Sequence, residues 1–116
     1  MLTGYRKLKV WEAADRLAHE VYRVTQAFPP NEQYGLTSQL RRAAVSVATN
    51  LVEGHARQGT REFKQFAAIS LGSLAEVEYL LGFAHVEGYL SDKAYRQVEE
   101  LRSTVGALLW NFRRAL

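Results

Sequence analysis

The sequence predicts an all-α protein of one domain, an antiparallel up-down-up-down four-helix bundle over residues 1–116. Apolar residues recur every three or four positions through four long segments, a spacing typical of helices that bury one face. The only two prolines stand together at positions 29 and 30 and separate the first segment from the rest. Short connections after the second and third segments favour helices that pack side by side in opposite directions.

The first helix is predicted over residues 8–28. One apolar stripe follows spacings of three and four, and a second stripe follows intervals of seven. The first consists of Trp11, Ala14, Ala18, Val21, Thr25 and Phe28, and the second of Val10, Leu17 and Val24. We therefore expect a wide face of this helix to lie in the core.

The second helix, predicted over residues 36–57, is apolar on more than one side. Its core stripe is Leu36, Leu40, Ala43, Val47, Leu51 and Gly54. Val45, Val52 and Ala56 point about 160° away from that stripe, given about 100° of rotation per residue. Each helix of a four-helix monomer has a solvated face, whereas this helix has no charge from Ala43 to Val52. The pattern predicts that another copy of the chain covers Val45, Val52 and Ala56 as an oligomer interface.

The third helix is predicted over residues 60–87, with Thr60 as its N-cap and Gly88 as its C-terminal stop. Its core positions are Phe63, Ala67, Ser70, Leu74, Val77, Leu81 and Ala84. Small residues are frequent in its middle, which allows another helix to approach closely.

The fourth helix is predicted over residues 92–115 and starts near Ser91. Its core stripe is Ala94, Val98, Leu101, Val105, Leu108 and Phe112. Trp110 lies off this stripe, with Arg113 and Arg114 close behind it. Packing on the N-terminal arm or a neighbouring subunit is one interpretation of Trp110, and stacking on a nucleic-acid base is the other.

A line of polar residues borders the core stripe of the second helix. Gln39, Arg42, Ser46, Asn50, Glu53 and Arg57 fall within about 80° around the helix axis. Ser73 and Glu76 share a face of the third helix and can meet this line across the hairpin.

Two interpretations of these polar residues are open. One is an active site built from Glu53, Glu76, Asn50 and Arg42. The other is a buried structural network that fixes the register of the two helices, formed by Gln39, Arg42, Ser46, Asn50, Glu53, Ser73 and Glu76. We favour the network, because no histidine or nucleophile joins the set and acid–base catalysis at neutral pH needs a carboxyl group with a strongly shifted pKa. We therefore predict no catalytic residue and no enzymatic activity.

Several classes of site are excluded by residue types that the sequence lacks. It has no cysteine, and its three histidines lie on three different predicted helices without a Glu-x-x-His pair. No glycine pattern matches a phosphate-binding loop. The longest run without charge has eleven residues, from Gln65 to Ala75, whereas a membrane-spanning helix needs about 20 apolar residues. We expect a cytoplasmic protein with no metal, no cofactor and no membrane partner.

The charge is unevenly distributed along the chain. The formal net charge is +3, with ten basic and six acidic side chains in residues 1–64. Basic clusters can contact phosphate groups, although a solvated surface is the simpler interpretation. The candidates for nucleic-acid contact are Arg16, Arg23, Arg41, Arg57, Arg61 and Lys64.

The second and third helices carry a family resemblance. The segment LTSQLRRAAVSVATNLVEGHARQGTREFKQFAAISLGSLAEVEYLL resembles the signature of bacterial four-helix bundle proteins called 23S rRNA intervening-sequence proteins. The matching positions are Leu36, Gln39, Arg41, Arg42, Ala43, Ser46, Asn50, Glu53, Gly54, Phe63, Phe66, Gly72, Ser73 and Glu76. The start YRKLKVWEAADRLAHEVY is similar to the family's first helix at Leu8, Val10, Trp11 and Ala14.

The resemblance implies an up-down bundle that assembles into a ring-shaped homopentamer. Related proteins are the accessory variability determinants of diversity-generating retroelements, which bind nucleic acid and act with a reverse transcriptase. Those relatives are strongly basic, whereas this chain has a net charge of only +3. We expect a non-catalytic homo-oligomeric scaffold that binds RNA or DNA weakly. The alternative is a protein-interaction module that docks a partner protein on the ring without nucleic acid.

Overall fold

Four α-helices account for most of the chain. The structure, a computed structural model, describes residues 2–116. The helices are α1 (Lys9–Thr25), α2 (Leu36–Ala56), α3 (Thr60–Val86) and α4 (Asp92–Ala115), and the short 3-10 helices Gly4–Lys7 and Pro30–Glu32 precede α1 and α2. Residues 2–116 contain no strand, so the prediction of an all-α four-helix bundle is confirmed.

The helices form a square in which sequence neighbours pack together. Ser46 of α2 meets Ser73 of α3, and further along α2 a β-carbon added to Gly54 would lie 2.6 Å from Phe63 Cδ1. Residues further along α2 therefore contact residues earlier in α3, so the two helices are antiparallel. α3 packs on α4, and α1 closes the square by contacting both α2 and α4.

The core follows the apolar stripes read from the sequence, with one exception. The largest side chains that are fully buried include Leu17, Leu40, Leu51, Leu81 and Leu109. In α4 the predicted core residue Leu108 is 37% exposed, whereas its neighbour Leu109 is 0% exposed. The prediction was wrong there because, at about 100° of rotation per residue, Leu108 and Leu109 lie about equally far to either side of the core stripe, and the alternation of three and four selected the one that is exposed.

Two predicted helix starts have different outcomes. Ser91 caps α4, because its Oγ accepts the backbone N–H of Ala94 at 3.1 Å. Thr60 is not the N-cap of α3. That position belongs to Gly59, whose φ of +132° suits glycine, and no side chain caps this end.

The predicted C-terminal stops also differ. Gly88 ends α3 with a φ of +80°, and the N–H of Tyr89 donates to Ala84 O at 2.9 Å, which together form a Schellman motif. The first helix ends at Thr25, three residues before the predicted end. Phe28 lies beyond the helix but is still buried, and it immediately precedes the two prolines that disfavour helix.

Helix α3 is unusually apolar for a helix that is only partly covered. By length and composition it is long and apolar enough to span a membrane. The expectation that no segment is apolar enough to cross a membrane was therefore wrong. It considered only unbroken uncharged runs, whereas the mean hydropathy of a longer stretch of α3 stays high although the stretch contains Glu76 and Glu78. Soluble core helices pass the same test, so the absence of a membrane partner stays a prediction.

Candidate functional site

The polar line on α2 forms short chains of hydrogen bonds with α3. Ser46 Oγ and Ser73 Oγ are 2.9 Å apart, and Asn50 Nδ2 donates to both the backbone oxygen and Oγ of Ser46. Two turns towards the start of α2, Gln39 Nε2 donates to Glu76 Oε2 at 3.3 Å. These bonds link α2 to α3 at two levels and so help to fix their register.

Arg42 and Glu53 lie outside these hydrogen bonds. Both side chains are exposed, and among the described residues neither has a hydrogen bond or an ion pair. The expected buried network therefore does not extend to them, and it is not buried elsewhere either, because Gln39 and Glu76 are exposed and Ser46, Asn50 and Ser73 are only half-buried. This flank of α2 faces outward, where no other element of the protomer covers it.

Two separate depressions follow the polar line. The larger one, of about 610 Å³, is lined by Arg42, Ser46, Ser73 and Glu76 among others. The second, of about 430 Å³, includes Glu53 on the side that faces α1. Glu53 and Glu76 therefore do not line one pocket. The arrangement offers no pair of facing carboxyl groups for acid–base chemistry.

Three of the six predicted basic contacts lie away from the others. Arg16 is exposed on α1 where it borders α4. Arg23 forms an ion pair with Glu20, and this hydrogen bond lowers the pKa of the Glu20 carboxyl group. Arg41 donates from Nε to Thr25 Oγ1 at 2.8 Å and lies over the ring of Tyr22, so it ties α2 to α1.

The other three predicted contacts, Arg57, Arg61 and Lys64, lie at one end of the bundle with five further basic side chains. We define this basic end as residues 2–13, 52–64 and 111–116, where α1 and α3 start and α2 and α4 finish. Its basic residues are Arg6, Lys7, Lys9, Arg57, Arg61, Lys64, Arg113 and Arg114, and its acidic residues are Glu12, Glu53 and Glu62. An excess of five positive side chains is therefore concentrated at this end.

Arg113 and Arg114 were not among the residues predicted for nucleic-acid contact. The structure brings α4 to the α2–α3 turn through a hydrogen bond from Arg113 Nε to Lys64 O, at 3.2 Å. In an up-down bundle the end of α4 lies beside the start of α3. The predicted fold was therefore sufficient to place Arg113 and Arg114 next to Arg61 and Lys64.

The opposite end of the bundle shows no such excess. We define it as residues 21–40 and 82–96, where α1 and α3 finish and α2 and α4 start. Its charged side chains are Arg23, Lys93, Arg96, Glu32, Glu87 and Asp92, three of each sign. The surplus positive charge of the chain is therefore polarised along the bundle.

An apolar groove of about 410 Å³ runs between α1 and α2. Its lining residues include Trp11, Ala18, Tyr22, Val45 and Val52. Val45 is 40% exposed and Val52 is half-buried, so the protomer leaves this side of α2 open. Ala56, the third predicted interface residue, is also exposed.

Metal-binding side chains do not gather in the described part of the chain. Residues 2–116 contain no group of three or more His, Asp or Glu side chains that could hold a metal ion. The nearest approaches are two pairs. Asp15 lies 3.5 Å from His19, and Asp92 lies 2.7 Å from His85.

Comparisons with known proteins match the chain to one family. The structure is similar to a crystal structure of a protein of unknown function from the S23 ribosomal protein family of Bacteroides thetaiotaomicron VPI-5482. The TM-score is 0.83 at 18% identity, over 90% of this chain and 95% of that one. No curated protein matches the chain. A family model described as 23S rRNA-intervening sequence protein matches residues 6–111. Because this match spans nearly the whole bundle, the chain belongs to the 23S rRNA-intervening sequence protein family.

Proposed function

We propose that this chain is the subunit of a cytoplasmic, non-catalytic homo-oligomeric scaffold that binds RNA or DNA through its basic end. The observation that carries the proposal is the meeting of eight basic side chains at one end of the bundle. They come from three separate segments of the chain. Arg57 follows α2, and Arg61 and Lys64 are exposed on the first turns of α3, whereas the start of the chain through Lys9 and the end of α4 supply the others.

Phosphate contact accounts for this clustering better than an ordinary solvated surface does. Surface charges of both signs are usually interspersed, whereas the basic end carries only three carboxylates. A local excess of positive charge attracts polyanions, and binding releases the counterions that are condensed on them. The affinity for nucleic acid should therefore depend strongly on salt.

The test is the affinity for a labelled oligouridylate of about 20 nucleotides, measured by fluorescence anisotropy between about 50 and 200 mM KCl. If four phosphates are contacted, a plot of log affinity against log salt has a slope of about −3. Arg61→Gln combined with Lys64→Gln should weaken binding and make the slope shallower by about 1.4, because two phosphate contacts are lost.

Lys93→Gln combined with Arg96→Gln is the matched control. It removes the same two charges from exposed positions on the opposite end of the bundle. We expect it to leave affinity and slope nearly unchanged. Equal losses in both double variants would mean that only net charge matters. Affinity that is independent of salt, or no binding at low salt, would refute the proposal.

We also propose that the apolar groove between α1 and α2 is where copies of the chain meet, with the pentamer that the family resemblance implies as the expected assembly. Val45→Glu combined with Val52→Glu places two charges on this face and should yield folded protomers of 13.2 kDa by light scattering. Ile69→Glu combined with Val86→Glu makes the same change on the outer face of α3, where both side chains are exposed. If only the Ile69→Glu, Val86→Glu variant dissociates, the contact between copies lies on α3 and not in the groove.

A protein-interaction module without nucleic acid is the second candidate. It is favoured by the outer face of α3, where four large apolar side chains are uncovered in the protomer. Ile69 is 51% exposed, Tyr79 68%, Phe83 43% and Val86 83%. A partner protein that stays bound after nuclease treatment and is lost in the Ile69→Glu, Val86→Glu variant would support this function.

A further inference from the structure

Trp110 is an exposed aromatic side chain whose position the bundle core does not require. It is 55% exposed, whereas the adjacent Leu109 is fully buried in the core. Within the described residues, the 3-10 helix Gly4–Lys7 of the N-terminal arm does not pack on α4. The 3-10 helix of the arm packs on α1 and α2, where the ring of Tyr5 meets that of Trp11 at 4.8 Å. Packing on this helix of the arm is thereby removed, which leaves packing on a neighbouring subunit and stacking on a nucleic-acid base as the interpretations of Trp110.

Basic groups flank the exposed indole of Trp110. Arg113 and Arg114 follow it by three and four positions, so all three side chains share one face of α4. The hydrogen bond from Arg113 to Lys64 O holds this face beside the first turns of α3, where Arg61 is also exposed. A ring with free surface therefore lies one helical turn before two arginines that can contact phosphates.

Two other arginines at the basic end lie over aromatic rings. The guanidinium of Arg57 lies 5.1 Å from the centre of the Phe66 ring, and that of Arg6 lies 5.0 Å from the centre of the Tyr5 ring. Both of those rings are half-buried, so Trp110 has the most accessible ring of the three groupings. Cations thus alternate with aromatic rings across the basic end and the adjoining residues Phe66 and Trp110.

This alternation distinguishes between two forms of nucleic acid. A duplex presents phosphates outside and stacks its bases inside, so it can use the cations but not the rings. A single strand presents both phosphates and free base faces, and aromatic side chains bind those faces with little regard to sequence. We infer that the basic end binds single-stranded nucleic acid, with a base stacked on Trp110 and its neighbouring phosphates held by the surrounding basic residues. This inference rests on the proposed function.

The expected effect follows from the energy of stacking one base on an aromatic ring. Loss of one such contact weakens binding by about 5- to 150-fold. Trp110→Ala should therefore weaken the binding of an oligouridylate of about 15 nucleotides by this factor. It should leave the affinity for the same strand annealed to oligoadenylate unchanged. Trp110→Phe keeps an aromatic ring and should restore most of the affinity.

Fluorescence reports the contact directly. In a Trp11→Phe background Trp110 is the only tryptophan, and the single strand should quench its emission on binding. The dissociation constants come from anisotropy in the otherwise unchanged chain and do not depend on this background.

Three results would overturn the inference while leaving the proposed function intact. They are equal affinity for strand and duplex, full affinity of Trp110→Ala for the strand, and binding without quenching. Failure to bind either probe would remove the inference and the proposed function together. A lower molar mass of Trp110→Ala in sedimentation, with nucleic-acid affinity retained, would assign Trp110 to a contact between copies and also overturn the inference.

Discussion

Replacing Gly54 by alanine tests how closely α2 approaches α3. Gly54 lies in the last turn of α2 and is buried. An added β-carbon would lie 2.6 Å from Phe63 Cδ1 and 2.9 Å from the Cβ of Phe66, well inside ordinary van der Waals contact. The Phe63 ring can rotate, but the Cβ of Phe66 is fixed to the backbone of α3. Alanine at position 54 therefore requires either that α2 and α3 move apart or that the backbone around residue 54 is distorted.

Two opposing effects set the size of the change. Alanine is favoured over glycine by about 1 kcal/mol within a helix, and overpacking a tight contact costs about 1–3 kcal/mol. Gly72 provides the matched control, because it lies within α3 and an added β-carbon meets nothing within 4 Å. The propensity gain is similar in both variants. Gly54→Ala should thus be less stable than Gly72→Ala by about 1–3 kcal/mol.

Urea unfolding at a fixed protein concentration measures both variants, since self-association makes stability depend on concentration. We expect a higher midpoint than wild type for Gly72→Ala and a lower one for Gly54→Ala, with unchanged m-values. The reasoning is refuted if Gly54→Ala is as stable as Gly72→Ala. That result would mean that the two helices tolerate a methyl group at their point of closest approach.

Three further predictions concern single contacts within the bundle. Ser70→Ala removes a buried hydrogen bond of 2.8 Å to a backbone carbonyl of α2 and should cost about 0.5–1.5 kcal/mol of unfolding free energy in urea. Leu109→Ala should cost about 2–5 kcal/mol, and Leu108→Ala clearly less, because only Leu109 is fully buried. The hydrogen bond to His85 lowers the pKa of Asp92, so this carboxylate stabilises the fold above its unfolded pKa of about 3.9, and the contribution is lost as the pH falls through the lower folded value. Asp92→Asn should accordingly melt below wild type at about pH 6, and the difference should shrink as the pH falls from about 4 through the lowered folded pKa; a constant difference down to the acid limit of folding would contradict the assignment.

The helices and most of the core could be predicted because burial repeats with the helical period. Where two neighbouring residues are equally apolar, the period no longer decides. Leu108 and Leu109 differ by one position, and only the packing of α4 against α1 and α3 selects the second. The N-cap predicted for α3 was wrong because a second local requirement decided the position. Thr60 is a good capping residue, but the positive φ that the chain needs before α3 places Gly59 at the cap.

The candidate site was only partly predictable, because it depends on which flank of α2 is covered. Helical spacing correctly placed Ser46, Asn50 and Ser73 near one another. It could not show that α3 leaves the side chains of Arg42 and Glu53 uncovered. The basic end was within reach of the predicted topology, which puts the starts of α1 and α3 and the ends of α2 and α4 together. It is missed when basic residues are grouped along the sequence, because its members are spread from the start of the chain to the end of α4.

The polarised charge of the bundle affects how the protein adsorbs to any negatively charged support. A cation-exchange matrix touches one side of a particle at a time, and the end with five surplus positive side chains is the side that it will hold. Elution should then require more salt than a net charge of +3 spread evenly would need. If the subunits of an oligomer all point the same way, the attraction multiplies on one rim while the other rim stays near neutral. Such a particle would lie on the matrix in a single orientation.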